Sequence, residues 1–214
     1  MKSDTIAAIA TALSDAGIGI IRISGPEAIA VANRVVVNKK KEHTLKNWQT
    51  HTIHYGFVEE NGTILDEVMV SVMKAPRSYT TEDTVEINCH GGVLLTKRVL
   101  EAVLHAGARM AEPGEFTKRA FLSGRIDLSE AEAVMDLIQA KNQFSMQASI
   151  KQLRGSVAEK VKSLRAALLY EIAFIESALD DPEHISTEGY SEKLGKITPV
   201  SYTHLRAHET SLHL

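Results

Sequence analysis

Asn61-Gly62 stands between two runs in which residue character alternates, and that dipeptide in that setting is the strongest short hairpin signal a sequence carries. The run before it, Thr50 to Glu59, sets Ile53, Tyr55 and Phe57 on one face of a strand and Thr52, His54 and Gly56 on the other. Thr63 to Met73 is therefore predicted to pair back antiparallel. His51 and His54 read as strand-surface residues, because no carboxylate or further histidine stands at a metal-ligand spacing from them.

A second organising stretch runs from Thr81 to Gly92, Thr-Glu-Asp-Thr-Val-Glu-Ile-Asn-Cys-His-Gly-Gly, and leads directly into an apolar helix. Val85 and Ile87 alternate with Thr84, Glu86 and Asn88, so a strand here buries one face and turns a carboxylate and an amide to the other. Gly91-Gly92 permits positive φ and a close approach of backbone to another group, and the helix that follows begins with unpaired amides. Two readings fit: a ligand-binding turn, or an ordinary strand-turn-helix corner with a solvated outer face.

Upstream, Thr5 to Thr11 reads as a short strand, and Ala16 to Gly19 as a loop feeding a second, Ile20 to Ser24. Arg22 interrupts that apolar strand; it lies on an exposed face, pairs with an acid, or awaits an anionic or polar ligand, since an unpaired buried guanidinium is costly. Gly25-Pro26 then starts a helix through about Val36 carrying Ala28, Ile29, Val31 and Ala32. Lys39-Lys40-Lys41 reads as a solvated loop. Lys74 to Thr80, with Pro76, is a loop into the central strand; Gly92 to His105 is an amphipathic helix stopped by Gly107, and Arg109-Met110-Ala111 forms one more short strand.

From Glu115 the pattern is nearly continuous helix. Ser129 with Glu132 suggests a capping box, and a further run extends from about Gln143 to Leu179, interrupted in composition only by Gly155 and ended by Pro182. Its apolar stripe, which includes Leu153, Val157, Val161, Leu164 and Leu168, needs more partner surface than two helices supply, which implies missing chain or oligomer contacts. Residues 198–214 follow no pattern and read as a disordered or foreign tail despite His204, His208 and His213.

The predicted fold class is an α+β N-terminal domain, with a mixed, mainly antiparallel sheet and helices, followed by an incomplete all-α helical domain. The expected boundaries are 1–117, 118–197 and the tail 198–214. In 214 residues, 44% hydrophobic content suffices for a real core, and no apolar run approaches the roughly 20 residues of a membrane span. The expected setting is cytoplasmic, without membrane attachment; one cysteine, Cys89, excludes an internal disulfide framework and fits a reducing compartment. A formal charge of −3 offers nucleic acid no global attraction.

Several segments together resemble the MnmE (TrmE) family of tRNA modification GTPases. They are Ile20-Ile21-Arg22-Ile23-Ser24-Gly25, Ala75-Pro76-Arg77-Ser78-Tyr79-Thr80, Val85 to Gly92, Pro113-Gly114-Glu115-Phe116-Thr117, Arg119-Ala120-Phe121-Leu122 and Asp127 to Ala133. The resemblance covers residues 1 to about 190. It implies an N-terminal folate-binding and dimerising domain, a helical domain, and a GTPase domain inserted within the helical one. It further implies a homodimer that works with the FAD-dependent partner MnmG (GidA) to install an aminomethyl or carboxymethylaminomethyl group on the wobble uridine of tRNA. The one-carbon unit comes from a tetrahydrofolate, and GTP hydrolysis uses potassium and magnesium in the full-length protein.

The chain departs from the family in three ways. It contains no Gly-x-x-x-x-Gly-Lys-Ser/Thr phosphate loop, so it is not expected to bind GTP and is expected to be inactive alone, as a truncated or misread gene fragment would be. The family's reactive C-terminal cysteine is absent, and Cys89 is not that residue. Thr81 stands where the family usually has glycine, which predicts a less tight loop.

By the resemblance, the folate-contacting positions are Arg22, Glu86 and Arg125, with 5-formyltetrahydrofolate or a related tetrahydrofolate as ligand. A reduced pterin presents an exocyclic amine beside a ring N–H, a donor pair that the Glu86 carboxylate can accept, while the two arginines offer charge-assisted donors to carbonyl or carboxylate oxygens. Arg125 replaces a lysine seen in some relatives without changing sign. No catalytic residue and no metal ligand is assigned within the chain. The alternatives are a stand-alone folate-binding dimerisation module, and a one-carbon transferase of the aminomethyltransferase kind, which would need an acid or base with a convincing partner.

Overall fold

The computed structural model describes residues 4–192, in two compact units that divide between Ile126 and Asp127. The first unit holds a mixed, mostly antiparallel sheet with helices, and the second is helical.

Among the described residues the sheet has seven strands: β1 (Ile6–Ile9), β2 (Gly19–Ser24), β3 (Val36–Val37), β4 (Thr52–Glu60), β5 (Thr63–Met73), β6 (Thr84–Cys89) and β7 (Arg109–Met110). Their order is β3-β4-β5-β6-β2-β1-β7, antiparallel throughout except that β7 runs parallel to β1. The hairpin turns at Asn61-Gly62, where both residues take positive φ, 51° and 80°, as that turn requires. β3, which the sequence does not announce, continues from the end of α1 (Ala28–Val35) as an edge strand.

Alternation divides the sheet into two faces. Ile21, Ile23, Val68, Val70, Val72, Val85 and Ile87 are buried with Val31 and Ala32 of α1 and with Val99 and Val103 of α2 (Val93–His105). The opposite face carries cross-strand rows of mixed character. One row runs Ala8, Arg22, Glu86, Ser71, Ile53; the next runs Ile20, Asn88, Met69, Tyr55. Ile53, Met69 and Tyr55 are 61%, 53% and 46% exposed, so the apolar set of β4 lies outside while its small and polar set turns toward the helices.

The two glycines at the end of β6 are explained within the chain. A side chain on Gly91 would run into the Ala16 carbonyl, and Gly92 holds φ at 110°. The close approach is thus to the 10–19 segment, which favours the structural reading of that turn over the ligand-binding one. Thr81 adopts φ of 62°, so the loop keeps the left-handed conformation natural to glycine despite the substitution, and the expected loosening is not seen.

A short helix, α3 (Glu115–Leu122), belongs to the first unit. The second unit contains α4 (Leu128–Gln139), α5 (Gln143–Leu153) and α6 (Ser156–Asp180). The capping box predicted at Ser129 and Glu132 lies two residues earlier: Asp127 accepts from the Glu130 amide at 2.8 Å, and Glu130 accepts from the Asp127 amide at 2.8 Å. The helical run expected from Gln143 to Leu179 divides into two helices at Gly155, the one break in its composition, which turns left-handed at φ 77°. Ile138, Phe144 and Leu179 are 74%, 76% and 75% exposed. The unpatterned tail with His204, His208 and His213 lies outside the described residues.

Candidate functional site

The open sheet face gathers the polar side chains. Arg22 and Glu86 are direct cross-strand neighbours on β2 and β6; Arg22 Nε donates to Glu86 Oε1 at 2.7 Å, and Nη2 makes an ion pair with the same oxygen, also at 2.7 Å. The two side chains are 31% and 21% exposed, partly withdrawn from water but reachable. Of the three fates open to Arg22 in sequence, the structure chooses pairing with an acid. Glu86 Oε2 has no donor among the described residues, so the carboxylate retains an acceptor facing no protein partner.

Phe116, in the first turn of α3, places its ring 5.6 Å from the Arg22 guanidinium carbon. Its neighbour Thr117 shares a 3.1 Å hydrogen bond with the Tyr79 hydroxyl. Arg125 lies over that tyrosine, 5.0 Å from the ring centroid, and donates to the Tyr79 carbonyl at 3.1 Å. The structure therefore brings Arg22 and Glu86 into contact and puts Arg125 elsewhere, with no direct bond to either. The link between them runs through Tyr79, Thr117 and Phe116.

A polar network fixes the elements that carry these groups. Arg119 of α3 donates to both oxygens of Glu82 at 3.1 Å, to Asp4 Oδ1 at 2.8 Å and to Glu115 at 2.9 Å. Burial works against the Arg119 charge, but its bonds to Glu115 and Glu82 prevail and raise its pKa. Arg109 binds Asp4 and Glu115, and its hydrogen bonds hold each of those carboxyls down to about 2. Glu82 also accepts from Ser24 at 2.8 Å, and Ser24 meets Thr80 at 2.6 Å, next to Tyr79 in the chain. β2, the 74–83 loop and α3 are held as one frame.

Just past the end of β6, Asp66 of β5 and His90 form a pair that sequence reasoning missed. Oδ1 accepts from the ring Nδ1 and Oδ2 from the His90 amide, each at 2.7 Å, which raises the His90 pKa. Asp66 lies on β5 and His90 just after β6, and no local pattern reveals the register that brings them together. A cavity of about 360 Å³ lies beside them, lined by Ile18, Tyr55, Glu67, Met69, Asn88 and His90. Cys89 is no nucleophile: it is buried, its thiol donates to the Gly19 carbonyl at 3.2 Å, and burial together with the Asp66 charge pushes its pKa up.

Among the described residues no cluster of three or more His, Cys, Asp or Glu side chains could hold a metal ion, and no helix is long and apolar enough to cross a membrane. His54 is stacked on Trp48 at 3.9 Å between ring centroids.

Comparison with known proteins places these units. The family description "GTP-binding protein TrmE N-terminus" matches residues 5–125, and "MnmE helical domain" matches residues 128–211. The chain is 60% identical over 194 residues to a tRNA modification GTPase MnmE of Lachnoclostridium phytofermentans, covering 91% of this chain and 42% of the relative. It is 50% identical over 194 residues to the protein of that name from Listeria welshimeri, with the same coverage, and 51% identical over 191 residues to that from Streptococcus thermophilus, covering 89% of this chain and 41% of the relative. The chain thus spans about 42% of the length of the relatives it matches. With one match on each of its two compact units, the chain belongs to the MnmE (TrmE) family of tRNA modification GTPases.

Proposed function

We propose that this chain is the front part of a tRNA-modifying GTPase whose first unit binds 5-formyltetrahydrofolate, or a related tetrahydrofolate, on the open face of the sheet. The observation that carries the reading is the Arg22–Glu86 pair: the arginine's hydrogen bond and its ion pair both fall on Oε1, and among the described residues Oε2 is left without a donor. A reduced pterin offers adjacent N–H donors, and a carboxylate oriented by a neighbouring arginine is their natural acceptor. Phe116 adds aromatic surface beside the Arg22 guanidinium, and Arg125, over the Tyr79 ring, offers a second cation to the carbonyl or carboxylate oxygens of the ligand. The bound folate supplies a one-carbon unit; the side chains named here bind and orient it.

In the whole protein, on this reading, the first unit also dimerises, and the second begins a helical domain whose remaining chain covers the exposed apolar residues of α4 to α6. GTP with potassium and magnesium, the partner MnmG and tRNA engage parts beyond these residues, to place an aminomethyl or carboxymethylaminomethyl group on the wobble uridine in the cytoplasm. A stand-alone folate-binding dimerisation module accounts equally for the missing phosphate loop; a phosphate loop in the coding sequence that follows decides against it.

Calorimetric titration of the chain with 5-formyltetrahydrofolate tests the folate site. Glu86→Ala is expected to weaken binding at least about tenfold, since a charge-assisted hydrogen bond is lost. Equal affinity in the variant removes Glu86 from the site. Sedimentation of the same sample tests the dimer, which a monomer at tens of micromolar would refute.

A further inference from the structure

Of the three positions expected to hold folate, Arg125 stands out by its surroundings. It is exposed, follows the turn at Ser123-Gly124, and makes no bond to Arg22 or Glu86. A long cationic side chain in that position ordinarily samples many rotamers, and ordering it on a ligand carries an entropic cost. Here one residue addresses it from two sides. The Tyr79 ring lies under the guanidinium at 5.0 Å, and the Tyr79 carbonyl accepts from Nη1 at 3.1 Å.

Tyr79 is itself held. Its hydroxyl meets Thr117 Oγ1 at 3.1 Å, and Thr117 follows Phe116, the ring that faces Arg22. The residue after it, Thr80, is buried and bonded to Ser24 on β2 at 2.6 Å. The frame that fixes the tyrosine is therefore the frame that carries the Arg22–Glu86 pair.

We infer that Tyr79 is a positioning residue for Arg125: its ring and carbonyl seat the guanidinium, and its hydroxyl bond to Thr117 registers that seat against α3 and hence against Arg22 and Glu86. The inference rests on the folate reading for its effect on ligand affinity, but the seating itself does not. The tyrosine acts through the arginine, so its removal matters only while the arginine is present. Loss of one exposed cation–π contact corresponds to about a two- to fivefold change in binding.

The experiment is a double-mutant cycle read by titration with 5-formyltetrahydrofolate, joined to side-chain NMR of Arg125 in the unliganded chain. Tyr79→Leu is expected to weaken binding about two- to fivefold, Arg125→Ala by at least as much, and the double variant no more than Arg125→Ala alone. Tyr79→Phe, which keeps the ring but loses the bond to Thr117, should fall between the wild type and Tyr79→Leu. In the NMR arm the Arg125 δ-methylene protons are expected upfield of their ordinary position in the wild type and at that position in Tyr79→Leu. Additive losses in the cycle, or unshifted Arg125 protons in the wild type, overturn the inference. If the wild type takes up no folate the site reading fails, while the NMR arm still decides the seating, and on wild-type protein alone should Tyr79→Leu not fold.

Discussion

Asp66 grips His90 at two points, one carboxylate oxygen on the ring Nδ1 and the other on the backbone amide, so the pair is fixed in orientation as well as in charge. The bond to Asp66 raises the histidine pKa in the folded state. A raised folded-state pKa contributes stability that is fully present below the unfolded histidine pKa and is lost as pH rises through the folded value. The difference in melting temperature between wild type and Asp66→Asn should therefore be larger on the acid side of the histidine range than on the alkaline side. A difference that grows with pH would show that the charge of His90 is not what Asp66 stabilises.

Glu115 behaves in the opposite sense. Hydrogen bonds from Arg109, then the Glu112 amide and Arg119, outweigh burial and hold its carboxyl down to about 2. Its stabilisation is complete above the unfolded carboxylate pKa and disappears as pH falls through about 2. Glu115→Gln should lose about 2 kcal/mol near neutral pH, since the exposed Arg109 and the largely buried Arg119 both lose a charged partner, and this loss should shrink on acidification. Urea denaturation across the acid range measures it; a pH-independent loss would mean that packing rather than charge is responsible.

Thr81 sits at φ of 62°, a conformation that a β-branched residue adopts under strain and glycine adopts freely. Thr81→Gly should stabilise the first unit by about 1 kcal/mol, the relief of strain exceeding the extra entropy of the unfolded chain. Chemical denaturation of the two proteins provides the comparison, and a destabilised variant would show that the threonine is held by something more than backbone geometry.

Where the sequence spoke through local chemistry, it was legible. Asn61-Gly62 located the hairpin, and alternation in Thr84 to Asn88 placed Glu86 and Asn88 together on one face. Local signals competed at α4, where Asp127 and Ser129 are both good caps; Asp127 prevails and also accepts from the Ser129 hydroxyl at 2.7 Å, so the serine supports the cap instead of being it. What could not be read is what depends on register between distant segments. Asp66 meets His90 across 24 residues and Arg125 meets Tyr79 across 46, and no spacing rule links such pairs before the strand order is known. Arg22 is the intermediate case: chemistry demanded an acid, and only the β2–β6 pairing said which.

The sheet ends on both sides in strands of two residues, Val36–Val37 and Arg109–Met110. β3 covers only Phe57 and Val58 of the nine-residue β4, so among the described residues Thr52 to Gly56 have no strand on their outer side and keep main-chain groups open to a further backbone. At the other border β7 covers Ile6 and Ala7 of the four-residue β1, so encounters there fall on side chains, which, unlike a peptide ladder, can be selective about whom they admit.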